Sequence, residues 1–428
     1  MGSHRRHAQD TPSADALPLE LVTIGTELLL GFTVDTNGAE IARALAEVGV
    51  RVVRRTTVGD GPEAIRDAVR AGLERTGAVL TTGGLGPTRD DLSKKVVAEL
   101  FGAPLEFDDG VWAALVERFA RIGRVPVESN RSQAEVPRGA TVLRNRWGTA
   151  PGLWIESGPG LVIMLPGIPG EMRKLLEHEV VPRLRERAGG RVIRSRVVRT
   201  TGIPESTLAE RMGEIEREIA PLTLAYLPGL DGVDLRLSAW QLPSAEADAR
   251  LAAAVALLRE RGDEHVYGEG EADLAELVLE AARGRGLTLA TAESCTGGLV
   301  GARLTEIPGS SDVYLGGVVA YANQLKTGVL GVDPALVAAH GAVSEQVAVA
   351  MAGGAAARLG AGAAVSVTGI AGPGGGSEAK PVGTIWYGVA LAGEVTAYHT
   401  LLPGSRHDIR ARAAQAALHL LLRRLRAV

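Results

Sequence analysis

The chain has 428 residues, with 46 basic and 50 acidic side chains and a net charge of −4. No global field would therefore draw it onto nucleic acid or anionic lipid. The length exceeds one ordinary core and predicts two or three domains. A single cysteine, Cys295, excludes an intramolecular disulfide, and eight scattered histidines form no Cys–His or HExxH cluster for zinc. The opening MGSHRRHAQDTPSADALPLE lacks a signal-peptide core, and no run of about 18 apolar residues could span a membrane. These features predict a disordered tail over residues 1–17 and a cytoplasmic protein with no membrane partner.

In chain order, residues 18–172 alternate strand and helix patterns. LELVTIG, VRVVRRTTVG and GAVLTTGG read as strands, separated by the helical AEIARALAEVG and EAIRDAVRAGLER. This rhythm predicts βαβ units and a parallel sheet with ligand loops at the strand ends. Residues 173–266 open on the helix EMRKLLEHEVVPRLRER and continue through RVIRSRVVRTTG, a helix near STLAERMGEIEREI, the strand VDLRLSAWQL and the helix EADARLAAAVALLRER. They predict a small α+β domain. GEGEAD marks a linker over 267–272, and residues 273–428 return to α/β with strands LTLATAES, GGVVAYAN, AAVSVTG and GTIWYGVALA.

Two glycine-rich turns follow strands in the last segment, ESCTGG at 293–298 and TGIAGPGGGS at 368–377. Glycine lets a backbone approach a ligand, and amides opening a helix suit a phosphate or an oxyanion. The stretch between them supplies Ser311, Tyr321 and Lys326, a hydroxyl–phenol–amine set in which a desolvated lysine could activate a serine. Cys295 is the rival nucleophile, with no histidine near in sequence to activate it. Arg406 could clamp an anionic group. In the first segment, TTGGLGPTRDDL places Asp90 and Asp91 after a glycine turn, where they suit either a helix N-terminus or a divalent metal. Glu27, Asp35 and Asp60 arrive at neighbouring strand ends.

AESCTGG, IPGSS, VVAYANQLK, TGIAGPGGG with KPVG, and GSRHDIR, in this order, resemble the C-terminal domain of the CinA family. That domain also occurs alone as the bacterial nicotinamide mononucleotide deamidase. GTELLLGFTVDTN, GGLGPTRDD and LPGIPGEMR resemble the family's N-terminal domain and, more distantly, the molybdopterin-binding MoaB and MogA proteins. The resemblance implies an α/β chain with a molybdopterin-binding-like parallel-sheet domain, a KH-like α+β domain and a C-terminal α/β deamidase domain. It implies hydrolysis of the carboxamide of nicotinamide mononucleotide to the acid and ammonia, with Ser311, Tyr321 and Lys326 catalytic and no cofactor.

The expected substrate contacts are Ser294, Thr296, Gly297 and Gly298 in the first turn, Thr368, Gly369 and Gly372 in the second, and Arg406. Which turn holds the phosphate and which the oxyanion stays open. Ala322 stands where the family often has serine. For the N-terminal domain the resemblance implies a metal-dependent ADP-ribose pyrophosphatase, with Asp90 and Asp91, and more weakly Glu27 and Asp35, as ligands of a divalent ion. The alternative is a non-catalytic nucleotide- or pterin-binding module. The family also implies a homodimer and a place in pyridine-nucleotide salvage. Its association with competence and DNA damage raises an interaction role, but the GxxG at 229–232 carries an acid and no base, which argues against direct nucleic-acid binding.

Overall fold

The structure, a computed structural model, describes residues 17–427; the expected tail falls, apart from Leu17, outside them. By contact the chain divides into two compact units, residues 1–194 with 238–250, and residues 195–237 with 251–428.

In the first unit a six-stranded sheet contains β1 (Leu17–Ile24), β2 (Val50–Val58) and β3 (Ala78–Thr82). After a short ribbon of β4 (Leu105–Phe107) and β5 (Glu135–Pro137) come β6 (Thr141–Leu143), β7 (Gly152–Ser157) and β8 (Gly160–Leu165). The order is β2-β1-β3-β8-β7-β6, parallel through β2, β1, β3 and β8 and antiparallel at β7 and β6. The expected parallel sheet thus gains an antiparallel edge, because the two-residue Gly158–Pro159 link between β7 and β8 is too short for a crossover. Side chains alternate across the sheet: Leu19 and Leu21 of β1 enter one core, and Val22 and Ile24 enter the other.

The helical run from Pro169 to Arg187 corrects the expected boundary at 172/173. Its Met172, Leu175, Leu176, Val180 and Leu184 complete the core around Leu19 and Leu21. This apolar stripe is buried in the core of the first sheet, so the helix belongs with the first segment.

The middle sheet has the order β10-β11-β9-β12, formed by β9 (Arg191–Thr200), β10 (Thr223–Pro228), β11 (Val233–Pro243) and β12 (Val266–Glu269). The expected linker at 267–272 therefore begins as a strand, with Gly268 and Glu269 paired to β9. The GxxG at 229–232 is the four-residue loop between neighbouring strands β10 and β11, closed by the Gly229 amide donating to the Gly232 carbonyl at 2.8 Å.

The C-terminal sheet runs β14-β13-β15-β16-β17, with β13 (Leu289–Glu293), β14 (Tyr314–Val319), β15 (Ala363–Gly369), β16 (Thr384–Leu391) and β17 (Glu394–Leu401). The first three are parallel and the last two antiparallel. The helix Leu299–Thr305, which leads from β13 to β14, packs on one face with Leu274–Gly284 and the C-terminal helix Arg406–Arg426. The segment leading from β14 to β15, including the helix Glu345–Leu359, packs on the opposite face. The chain therefore leaves β13 and β14 toward opposite faces, and the carboxyl ends of the parallel strands are where α/β sheets take ligands.

Candidate active site

Ser294 follows the last residue of β13, and Lys326 lies on the helix Asn323–Gly328 that follows β14. The two loops turn to opposite faces and their side chains meet just beyond the carboxyl ends of the strands. The Lys326 ammonium is 3.0 Å from Ser294 Oγ, 2.8 Å from the Ala320 carbonyl and 3.4 Å from the Tyr321 carbonyl. Lys326 is only 1% exposed and Ser294 8%. Burial lowers the Lys326 pKa from its ordinary value, with the nearby Cys295 working weakly the other way. A neutral Lys326 amine offers a lone pair to the Ser294 hydroxyl, the arrangement that activates a serine without histidine.

Ser311 is not in this site, which corrects its expected role. It is exposed on a single 3-10 turn (Ser310–Asp312) before β14, whereas Lys326 lies beyond the strand's other end. A strand rises about 3.3 Å per residue, so the six residues of β14 put on the order of 17 Å between those ends. Ser294, expected only as a substrate contact, is the serine that Lys326 reaches. The available signal was its place directly after the apolar strand LTLATAE.

Tyr321 is 61% exposed, and its phenol accepts from Arg406 Nη2 at 3.0 Å. Arg406 Nη1 donates to the Gly372 carbonyl at 2.7 Å, so Arg406 joins the β14 loop to the second glycine turn. The two glycine turns lie side by side: a Cβ on Gly369 would sit 3.2 Å from Cys295 Sγ and 2.2 Å from Ile385 Cδ1. Thr368 is buried and donates its hydroxyl to the Ala342 carbonyl at 2.7 Å. Cys295 belongs to the hydrophobic core, and burial pushes its thiol up to about 11, which leaves it protonated and unreactive at neutral pH.

The first turn is not open for a phosphate. Buried Glu293 already accepts from the amides of Gly298, Val300 and Gly301 at 2.9, 3.1 and 2.8 Å. Its carboxylate caps the following helix where the expected anion would sit, so Gly298 is a capped turn residue rather than a phosphate contact. Thr296 is fully buried, and its hydroxyl has no partner among the described residues. Gly297 donates to the Ser294 carbonyl at 3.1 Å. Glu293 and Arg410, which donates to the carbonyls of Cys295 and Thr296, were not singled out in the sequence.

Three family matches cover the chain in order: residues 20–186 match a probable molybdopterin binding domain, 195–268 the damage-inducible protein CinA KH domain, and 271–425 the CinA C-terminal domain. A CinA-like protein of Gemmatimonas aurantiaca is 55% identical over 95% of this chain and 96% of its own length. The chain belongs to the CinA family. A putative competence-damage inducible protein of Symbiobacterium thermophilum is 46% identical over 95% of this chain and 98% of its own. The solved competence/damage inducible protein CihA of Agrobacterium tumefaciens is 43% identical over 35% of this chain and 94% of its own, with a TM-score of 0.34.

In the N-terminal domain of this CinA chain the expected metal ligands do not converge. Asp35 caps a helix by accepting from the Gly38 amide at 2.8 Å and pairs with Arg55 at 2.9 Å. Asp91 accepts from the Thr88 amide and hydroxyl at 2.8 and 2.5 Å, and Asp60 accepts from the Thr26 amide and hydroxyl at 3.0 and 2.6 Å. Asp90 is exposed in a turn before the helix Ser93–Leu100, and Glu27 is exposed against Gly25. Among the described residues no group of three His, Cys, Asp or Glu side chains could hold a metal ion. No described helix is long and apolar enough to cross a membrane.

Proposed function

We propose that the C-terminal domain hydrolyses a carboxamide through Ser294 and Lys326, with nicotinamide mononucleotide as the substrate. The observation that carries this reading is the buried 3.0 Å contact between Lys326 Nζ and Ser294 Oγ at the carboxyl ends of β13 and β14. Ser294 Oγ attacks the amide carbon while Lys326 takes the hydroxyl proton. Lys326 then returns that proton to the nitrogen as the C–N bond breaks, and ammonia leaves an acyl-enzyme. Water next adds to the ester with Lys326 again as base, releasing the acid and restoring Ser294. Arg406, exposed and tied to Tyr321 and Gly372, is a cation beside the second glycine turn and suits the substrate's phosphate.

The test is release of ammonia from nicotinamide mononucleotide by the full chain and two variants. Ser294→Ala is expected to lower kcat by about a thousandfold or more, while Ser311→Ala keeps near wild-type activity. Loss in Ser311→Ala with activity retained in Ser294→Ala would reverse the assignment.

A further inference from the structure

The C-terminal helix Arg406–Arg426 sends two arginines, four residues apart and so on one face, into the site. Arg406 reaches Tyr321 and Gly372. Arg410 reaches the nucleophile's own turn, with Nε donating to the Cys295 carbonyl at 3.0 Å and Nη2 to the Thr296 carbonyl at 2.8 Å. A planar guanidinium bound to two successive carbonyls fixes both peptide planes, because C=O and N–H point oppositely across each trans peptide. The Thr296 carbonyl shares its plane with the Gly297 amide. That amide is the donor that closes the turn on the Ser294 carbonyl at 3.1 Å. The closure sets the backbone of Ser294, and with it the reach of Oγ to Lys326.

Gly297 provides a second, independent observation. Its φ is +62°, in the left-handed region, and an added Cβ would stand 3.3 Å from Arg410 Nη2. The turn is thus shaped to receive this guanidinium at close range. Arg410 also lacks a carboxylate partner among the described residues and hydrogen-bonds the two turn carbonyls instead. Its charge is directed at the turn and not at a surface ion pair.

We infer that Arg410 is a positioning residue that clamps the 294–297 turn and so holds Ser294 Oγ in register with Lys326. The inference rests on the amide-hydrolysis reading of this site. A displacement of about 1 Å at a nucleophile is enough to slow attack by about a hundredfold, and a turn that has lost both carbonyl partners has that freedom.

The experiment uses the full chain and needs no assumption about the natural substrate. A fluorophosphonate reports the rate of covalent labelling at Ser294 by mass spectrometry, and hydrogen exchange reports the Gly297 amide. Arg410→Ala is expected to label about 30- to 100-fold more slowly, with its thermal midpoint held within a few degrees and the Gly297 amide exchanging faster. Arg410→Lys, with one donor centre for two carbonyls, is expected to lie between alanine and wild type. Ethylguanidinium added to Arg410→Ala should recover part of the labelling rate. Wild-type labelling and exchange in Arg410→Ala overturn the inference. If that variant does not fold, wild-type labelling by Arg410→Lys overturns it. If the wild-type chain does not label at Ser294, the amidase reading has failed. The clamp is then judged by exchange alone, and an unchanged Gly297 amide overturns it.

Discussion

At the scale of single residues, Lys326 shows what burial does to chemistry. An exposed lysine stays protonated to pH 10 and cannot act as a base at neutral pH. Lys326 is held almost without solvent among a hydroxyl and two carbonyls, with no carboxylate beside it among the described residues, and burial lowers its pKa. The base form must be neutral, so kcat/KM for amide hydrolysis should rise with pH along a limb below the ordinary lysine value of 10.5. Lys326→Met should remove this limb and most of the rate, which a pH–rate profile checks; a flat profile from pH 5 to 10 would remove Lys326 as the base. Lys326 and Tyr321 stand out in the sequence because lysine and tyrosine are rare in this chain, and Arg406 because it lies in a distinctive stretch. The choice between Ser294 and Ser311 was not, since it depends on which end of β14 each serine occupies. Sequence proximity favoured Ser311, but a six-residue strand carries it to the far end of the sheet.

At the scale of elements, the alternating strands and helices of both α/β segments were legible because their apolar periods differ. What was not legible was strand direction: β16 and β17 are joined by Ala392 and Gly393, both at positive φ, and this tight hairpin makes the end of the C-terminal sheet antiparallel. Glu293 was equally hidden. Its carboxylate occupies the start of the helix Leu299–Thr305, which the glycine pattern alone marks as an anion site. A buried anion accepting three amides organises the whole turn behind Ser294. Glu293→Gln keeps the shape but turns an amide NH2 toward backbone donors, and should lower stability by about 3 kcal/mol. The urea midpoint measures this, and a loss below the error of the measurement would show that the cap is dispensable.

At the scale of the whole molecule, pH exposes a weakness in the second unit that no motif announces. His419, on the C-terminal helix, is 4% exposed, and its Nε2 lies 2.8 Å from the Glu264 carbonyl, so the neutral ring donates there. Burial pushes its pKa down to about 4 from 6.5; the hydrogen bond to the Glu264 carbonyl opposes this most, and the Arg423 cation and His265 act with burial to a smaller extent. Between those two values the unfolded chain holds a proton that the folded one does not. Stability must therefore decrease as pH falls from 6.5 toward 4, by up to about 3 kcal/mol from this group alone. Above pH 6.5 the ring is neutral in both states and the effect vanishes. His419→Gln, which keeps a donor for the Glu264 carbonyl and cannot charge, should flatten the decline in thermal midpoint across this window while matching wild type less closely at pH 8, where the native ring packs better. The same slope in variant and wild type would place the acid sensitivity elsewhere.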